Sequence, residues 1–282
     1  LVDLHVHSIE TDGIFTVHER IQQAKRRKLA LVALTDHDTV SGIPRFLRLA
    51  RAAKIPAVSG AEISVDFRGV GIHILAYRIP LRAGPLLRLL HAQSEDRVRR
   101  AHEAVQLLRK SGFRISFADV RREARGNIGK PHIAKAILAN AENRRLLRAQ
   151  YGFSGGWSKL IDTLFDHPGQ DGHVQWKKHS AADVIRLIRR TGGVPVLAHP
   201  GHSFRRLTDI RDAVHTLHRV GLAGIEVRTP FGALRGSRES SRRLAERLGL
   251  LVTGGTDNHE TSTLGVNIPN KHFEALLRRL AH

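Results

Sequence analysis

Residues 1–13 read LVDLHVHSIETDG. In an extended strand successive side chains project to opposite faces. Val2, Leu4 and Val6 therefore share one face, and Asp3, His5 and His7 share the other. Such a strand has an apolar side for a core and a side of nitrogen and oxygen donors. It demands further strands beside it and further partners for its two imidazoles.

Those strands follow along the chain. VDLHV, LVALT, IPAVSGAEI, GIHILAY, GVPVLAH, LAGIEV and LLVTGG all read as short β-runs, and amphipathic stretches near 17–28, 42–54, 181–191, 207–219, 236–248 and 272–280 read as helices. The alternation predicts an α/β fold of mainly parallel strands with helices outside, as a barrel or a doubly wound sheet. Seven strands suit the barrel better. Between residues 81 and 172 the rhythm changes to several helices joined by Gly-containing turns. This stretch is expected to be an inserted helical subdomain, with 1–80 and 173–282 forming one domain around it.

At 282 residues, the chain can bury a sizeable core. It contains no cysteine, which excludes disulfides, thiolate metal sites and a cysteine nucleophile. Histidine and carboxylate remain as the strong metal-ligating side chains, and there are 18 histidines. Lys and Arg total 46 against 26 acidic residues, a formal charge of +20 that favours anionic ligands such as phosphates. No run approaches the roughly 20 apolar residues of a membrane span, and no secretory leader pattern is seen, so a cytoplasmic protein without a membrane partner is expected. Nothing in the chain calls for an obligate protein partner.

The polar residues that need explaining lie near the predicted strand ends. They are His5 and His7, Asp12 in TDG, His37 in TDHD, Glu62 in GAEIS, His73 in GIHI, His199 in AHPG, and Asp257 and His259 in GTDNH. Singly, each has an ordinary explanation as a capping, turn or core residue. Together they are too many donors for one ion, and they suffice for two or three. In a parallel barrel the C-terminal strand ends meet at one mouth, where so many buried imidazoles and carboxylates without a cation would be costly.

The order H-x-H, TDHD, GAEIS, GIHI, AHPG and GTDNH resembles the PHP family of polymerase and histidinol phosphatase domains. It is most similar to the subgroup of metal-dependent phosphoesterases acting on nucleoside 3′,5′-bisphosphates and on the 5′ ends of short RNA. The resemblance covers nearly the whole chain. It implies a distorted (β/α)7 barrel, like a TIM barrel, with a trinuclear metal centre. Carried over motif by motif, His5, His7, Asp12, His37, Glu62, His73, His199, Asp257 and His259 are the implied ligands. Asp12 stands where many relatives have histidine, a substitution similar to that of the phosphoesterase subgroup. Two or three divalent ions are expected, Mn2+ first, with Fe2+ or Zn2+ as alternatives.

The expected chemistry is hydrolysis of a nucleotide or short-oligonucleotide phosphate ester by a metal-activated hydroxide, without a protein nucleophile. Asp257 would help hold or deprotonate the water and His199 would serve the leaving group. GKPHIAK places Lys130 and His132 at a helix start, a setting suited to phosphate. With His202 of HPGHS, they are the expected substrate contacts. Arg97, Arg99 and Arg100 either line an anion entrance or face water. Phe153, Trp157 and Trp176 are candidates for stacking one base or for the core, and an aromatic content of 5% argues against an extended RNA platform. Asp3, Asp36 and Asp38 could orient imidazoles from behind. The rival readings are a phosphomonoesterase for a non-nucleotide metabolite such as histidinol phosphate, and a non-catalytic nucleic-acid-binding module.

Overall fold

In the computed structural model, residues 1–82, 84–175, 178–229 and 234–280 are described. The seven expected strands form as β1 (Val2–Val6), β2 (Leu31–Leu34), β3 (Ala57–Phe67), β4 (Val70–Tyr77), β5 (Val194–Leu197), β6 (Gly224–Arg228) and β7 (Leu251–Gly254). They make one sheet in sequence order. The sheet rolls toward closure: Val6 bridges to Asn258 just past β7, and the Asp257 amide donates to the His5 carbonyl at 2.9 Å. This is the distorted barrel that the sequence implies.

One feature departs from a parallel arrangement. β4 runs antiparallel to both β3 and β5, while the other neighbouring pairs are parallel. The cause is local. Phe67 pairs with Val70 across a two-residue turn, and Arg68 and Gly69 have φ of 52° and 84°. That is the left-handed pair required by a tight hairpin whose twist matches the strands. No helix intervenes, so the chain cannot return to run parallel. His73, early in β4, therefore reaches the same barrel end as residues at the finish of their strands.

The first strand also differs from simple alternation. Its register against β2 shifts between Asp3 and Val6, so Val2 and Leu4 join one core cluster and Val6 another, beneath the first two helices. Those helices are α1 (Val17–Arg26) and α2 (Ile43–Ala52). Thr16 starts α1 with a reciprocal capping box: its hydroxyl accepts the Glu19 amide, and Glu19 accepts the Thr16 amide. Inside the barrel the Tyr77 hydroxyl donates to the Leu4 carbonyl at 2.8 Å, joining two strands that are not neighbours in the sheet.

The chain divides into two compact units: Leu1–Ser8, Gly13–Leu90 and Lys178–His282 in the first, and Ile9–Asp12 with His91–Lys177 in the second. The first holds the barrel and its helices α8 (Ala181–Arg190), α9 (Pro200–Ser203), α10 (Leu207–Arg219), α11 (Ser237–Arg247) and α12 (Asn270–Leu280). The second is helical: most of α3 (Pro85–Lys110), then α4 (Phe117–Glu123), α5 (Lys130–Ala139), α6 (Ala141–Tyr151) and α7 (Trp157–Leu164) around their own apolar core. The loop Ile9–Asp12 is tied into this unit, because the Asn127 amide donates to the Glu10 carbonyl at 2.7 Å. Among the described residues, no helix is long and apolar enough to cross a membrane.

Candidate metal centre

The centre is built around one carboxylate. Glu62, in β3 and 1% exposed at its side chain, faces five imidazoles. Its Oε2 lies 3.1 Å from His5 Nε2, 3.2 Å from His7 Nε2 and 3.1 Å from His37 Nδ1. Its Oε1 lies 2.6 Å from His73 Nδ1 and 2.9 Å from His199 Nε2. Asp257 Oδ1 adds contacts of 3.4 Å to His5 Nε2 and 3.2 Å to His7 Nε2, and His259 stacks on His7 with ring centroids 4.2 Å apart. The fold thus gathers His5, His7, His37, Glu62, His73, His199, Asp257 and His259 at one end of the barrel.

The electrostatics follow from this packing. Burial alone would raise the Glu62 carboxyl, yet the imidazoles of His37, His73 and His5 hold it well below the usual carboxylate range. Asp257 is likewise opposed by burial and held low by His5, His7 and His259. Burial pushes the His5 imidazole down, but Asp257, Glu226 and Glu62 outweigh it and raise it well above its ordinary value.

The donor set fits divalent cations. His5 Nδ1 lies within 3.2 Å of both Glu226 oxygens. When the ring is neutral, as in a metal ligand, with its proton there, Nε2 presents a lone pair to Glu62 Oε2; neither of those buried atoms has a hydrogen-bond partner. Acceptors facing acceptors in a dry site repel unless a cation lies among them. Glu62 turns one oxygen to each of two imidazole sets. Imidazole with carboxylate suits manganese, iron and zinc. His5, His7, Glu62 and Asp257 form one possible ligand group, and His37, Glu62 and His73 another.

Glu226 is a functional residue that the sequence reading missed. It sits in β6, 1% exposed; beyond its contacts to His5 it accepts the His199 amide at 2.8 Å. The available signal was a carboxylate inside the apolar run LAGIEV, where a parallel strand is ordinarily apolar throughout. It fixes the His5 tautomer from behind, and it holds the backbone of His199, whose φ of 22° is strained for a non-glycine residue. Asp257 is strained likewise at φ 47°. A Cβ on Gly255 would stand 2.4 Å from His5 Cβ, so only glycine allows the loop after β7 to lie against His5.

Of the two roles open to Asp3, orienting an imidazole or capping backbone, the structure shows the second among the described residues. Asp3 accepts from the Thr256 amide and hydroxyl at 2.9 and 2.7 Å and from the Gly265 amide at 2.9 Å, because the bend of the chain past β7 offers these donors directly to it. Asp36 accepts from the Ser8 amide and hydroxyl, and Asp38 from those of Ser64. Asp3 and Asp36 thus hold loop backbone and Asp38 holds the backbone of β3, all beside strands that carry candidate ligands.

His202 is exposed in α9, its ring 5.6 Å from that of His199. Asp12, Lys130 and His132 belong to the second unit. There His132, 4% exposed, accepts the Gly129 amide at Nδ1 and hydrogen-bonds the Thr11 backbone, with Asp12 close enough to act on its charge. Burial lowers its affinity for a proton, and Lys135 and Arg97 lower it further. Lys130 is ion-paired with Asp166 at 2.7 Å. Arg99 and Arg100 pair with Asp96. Phe153 is buried in the helical core, Trp157 packs against that core under the Lys135 ammonium, and Trp176 lies outside the described residues.

With this geometry in view, residues 3–192 match the model of the PHP domain. The chain belongs to the PHP domain family. Among curated relatives, this PHP domain is 29% identical over 263 residues to the 3′,5′-nucleoside bisphosphate phosphatase of Chromobacterium violaceum, covering 92% of this chain and 87% of the relative. It is also 29% identical over 265 residues to the phosphoribosyl 1,2-cyclic phosphate 1,2-diphosphodiesterase of Eggerthella lenta, covering 91% and 93%. Among solved structures, the PHP domain superposes on an inferred metal-dependent phosphoesterase from Bifidobacterium adolescentis with a TM-score of 0.82 at 27% identity, covering 99% of this chain and 96% of the other.

Proposed function

We propose that this PHP domain, a metal-dependent hydrolase of phosphate esters, acts on nucleotides: on the 3′-phosphate of nucleoside 3′,5′-bisphosphates, on 5′-terminal nucleotides of short RNA, or on both. The observation that carries the reading is Glu62, one buried carboxylate shared by five imidazoles with Asp257 beside two of them. The nucleoside bisphosphate phosphatase among the relatives supports the choice of ester.

The proposed ligands are His5, His7, His37, Glu62, His73, His199, Asp257 and His259, with Asp12 for a third ion and Mn2+ as the metal. Divalent ions bound there lower the pKa of water and neutralise charge on the phosphoryl oxygens. Asp257 takes the proton of the attacking water at its carboxylate, and His199 supplies one to the departing alkoxide. Glu226 keeps the His5 ring and the His199 backbone in place during both events. Lys130, His132 and His202 are the proposed phosphate contacts. For His132 and Lys130 the support is chemical: they open α5, whose first amides favour an anion.

The test offers metal-depleted and Mn2+-loaded protein four substrates: 3′-phosphoadenosine 5′-phosphate, a 5′-phosphorylated oligoribonucleotide, a ribosyl 1,2-cyclic phosphate and histidinol phosphate. Mn2+-dependent release of phosphate or mononucleotide from either of the first two is the expected result. Turnover of only the third or fourth overturns the nucleotide reading, and tight RNA binding without any turnover supports a binding module instead.

A further inference from the structure

We infer that Arg20 is a positioning residue for the metal centre, its guanidinium setting the distance between the His7 strand end and the Asp257–His259 loop. This rests on the reading that those residues hold metal ions.

Arg20 lies on the inner face of α1, where its buried neighbours Val17, Ile21 and Ala24 are apolar. It is 0% exposed. Nε donates to the His7 carbonyl at 2.8 Å, and Nη2 donates to the Asn258 carbonyl at 2.6 Å, with the Asn258 side-chain oxygen at 3.4 Å. Nη1 donates to Gln23 Oε1 at 2.9 Å and to the Thr261 carbonyl at 3.0 Å. The Phe15 ring closes one face, 4.7 Å from the guanidinium carbon. Every hydrogen-bond acceptor is neutral; the carboxylates of Asp3, Asp36 and Glu19 favour the charge from beyond ion-pair distance, yet burial outweighs them and lowers the guanidinium to about 10. Burying a charge without a direct ion-pair partner is costly.

The acceptors explain why a cation is nonetheless there. His7 is a proposed ligand, and Asn258 stands between two others, Asp257 and His259. These segments come from opposite ends of the chain and are joined by two backbone hydrogen bonds, from the Asp257 amide to the His5 carbonyl at 2.9 Å and, at the His7 end where the fork sits, a longer one from the His7 amide to the Asn258 carbonyl at 3.4 Å. A rigid planar fork that grips both carbonyls holds their separation constant. A lysine ammonium, a point charge on a flexible stem, does not reproduce it.

The experiment titrates metal-free wild type, Arg20→Lys and Ile21→Ala with Mn2+, counting bound ions by mass spectrometry after equilibrium dialysis and recording the thermal midpoint without metal. Ile21→Ala loosens the same helix without touching either carbonyl. Arg20→Lys is expected to weaken Mn2+ binding about 10–100-fold, while Ile21→Ala, though less stable, binds as wild type. Wild-type affinity in Arg20→Lys overturns the inference, and so does a loss in both variants that follows their midpoints. A wild type that binds no Mn2+ overturns instead the metal reading beneath it. If Arg20→Lys does not fold, Gln23→Leu decides by the same titration: it removes one acceptor and keeps the charge, so weakened binding supports the inference and unchanged binding overturns it.

Discussion

At the scale of single residues, the centre depends on side chains that would not themselves bind metal. Glu226 is the clearest. Its two oxygens face two donors, the His5 ring and the His199 amide. Glu226→Gln must turn an NH2 group toward one of them, setting donor against donor and removing a buried negative charge. We expect Mn2+ affinity to fall about 10–100-fold, measured by equilibrium dialysis on protein whose circular dichroism is unchanged. Affinity equal to wild type would leave Glu226 a packing residue. His5, His7 and Glu62 were legible as candidate ligands because their residue types are improbable in a dry core. Arg20 was not, since an arginine within a helix reads as solvated until the fold buries it.

At the scale of elements, α1 and α11 illustrate two kinds of local stabilisation. Thr16→Ala removes the α1 capping box and is expected to cost about 1 kcal/mol in a urea titration. Because α1 carries Arg20, the same variant tests whether fraying of this helix reaches the centre. On α11, Glu239 pairs with Arg242 and Arg243, one turn away, and these hydrogen bonds pull its carboxyl from 4.5 to about 2. A carboxylate depressed in the folded state stabilises fully above its unfolded value and loses that contribution as pH falls toward the folded one. The difference in thermal midpoint between wild type and Glu239→Gln should therefore shrink between pH 4.5 and pH 2. It should also shrink in about 1 M salt, where exposed pairs are screened. A difference that is constant with pH would show that the pair contributes nothing. Sequence periodicity located both helices well, since amphipathic spacing is a local property. It did not reveal the hairpin at Arg68 and Gly69, because a turn with an arginine in its first left-handed position carries no strong composition signal.

At the scale of the whole molecule, the barrel closes by apposing the first strand and the segment after the last one, and four of the proposed ligands, His5, His7, Asp257 and His259, sit at that seam. Metal binding should therefore be linked to global stability. Chelation is expected to lower the thermal midpoint, and Mn2+ at a thousandfold excess over its dissociation constant to restore about 4 kcal/mol, on the order of 10 °C for a chain of this size. A midpoint that ignores Mn2+ would contradict a metal centre at the seam. From the sequence alone came the α/β class, the seven strands, the helical insertion and the set of donor residues, because strand alternation, helical spacing and the chemistry of imidazole and carboxylate are all written locally. The tertiary structure alone decided that Glu62 is the hub of the imidazole cluster, that Glu226 and Arg20 stand behind the proposed ligands, and that Asp3 holds a loop. Each of those roles depends on which distant backbone atom comes within about 3 Å, and that distance is set only when the sheet closes.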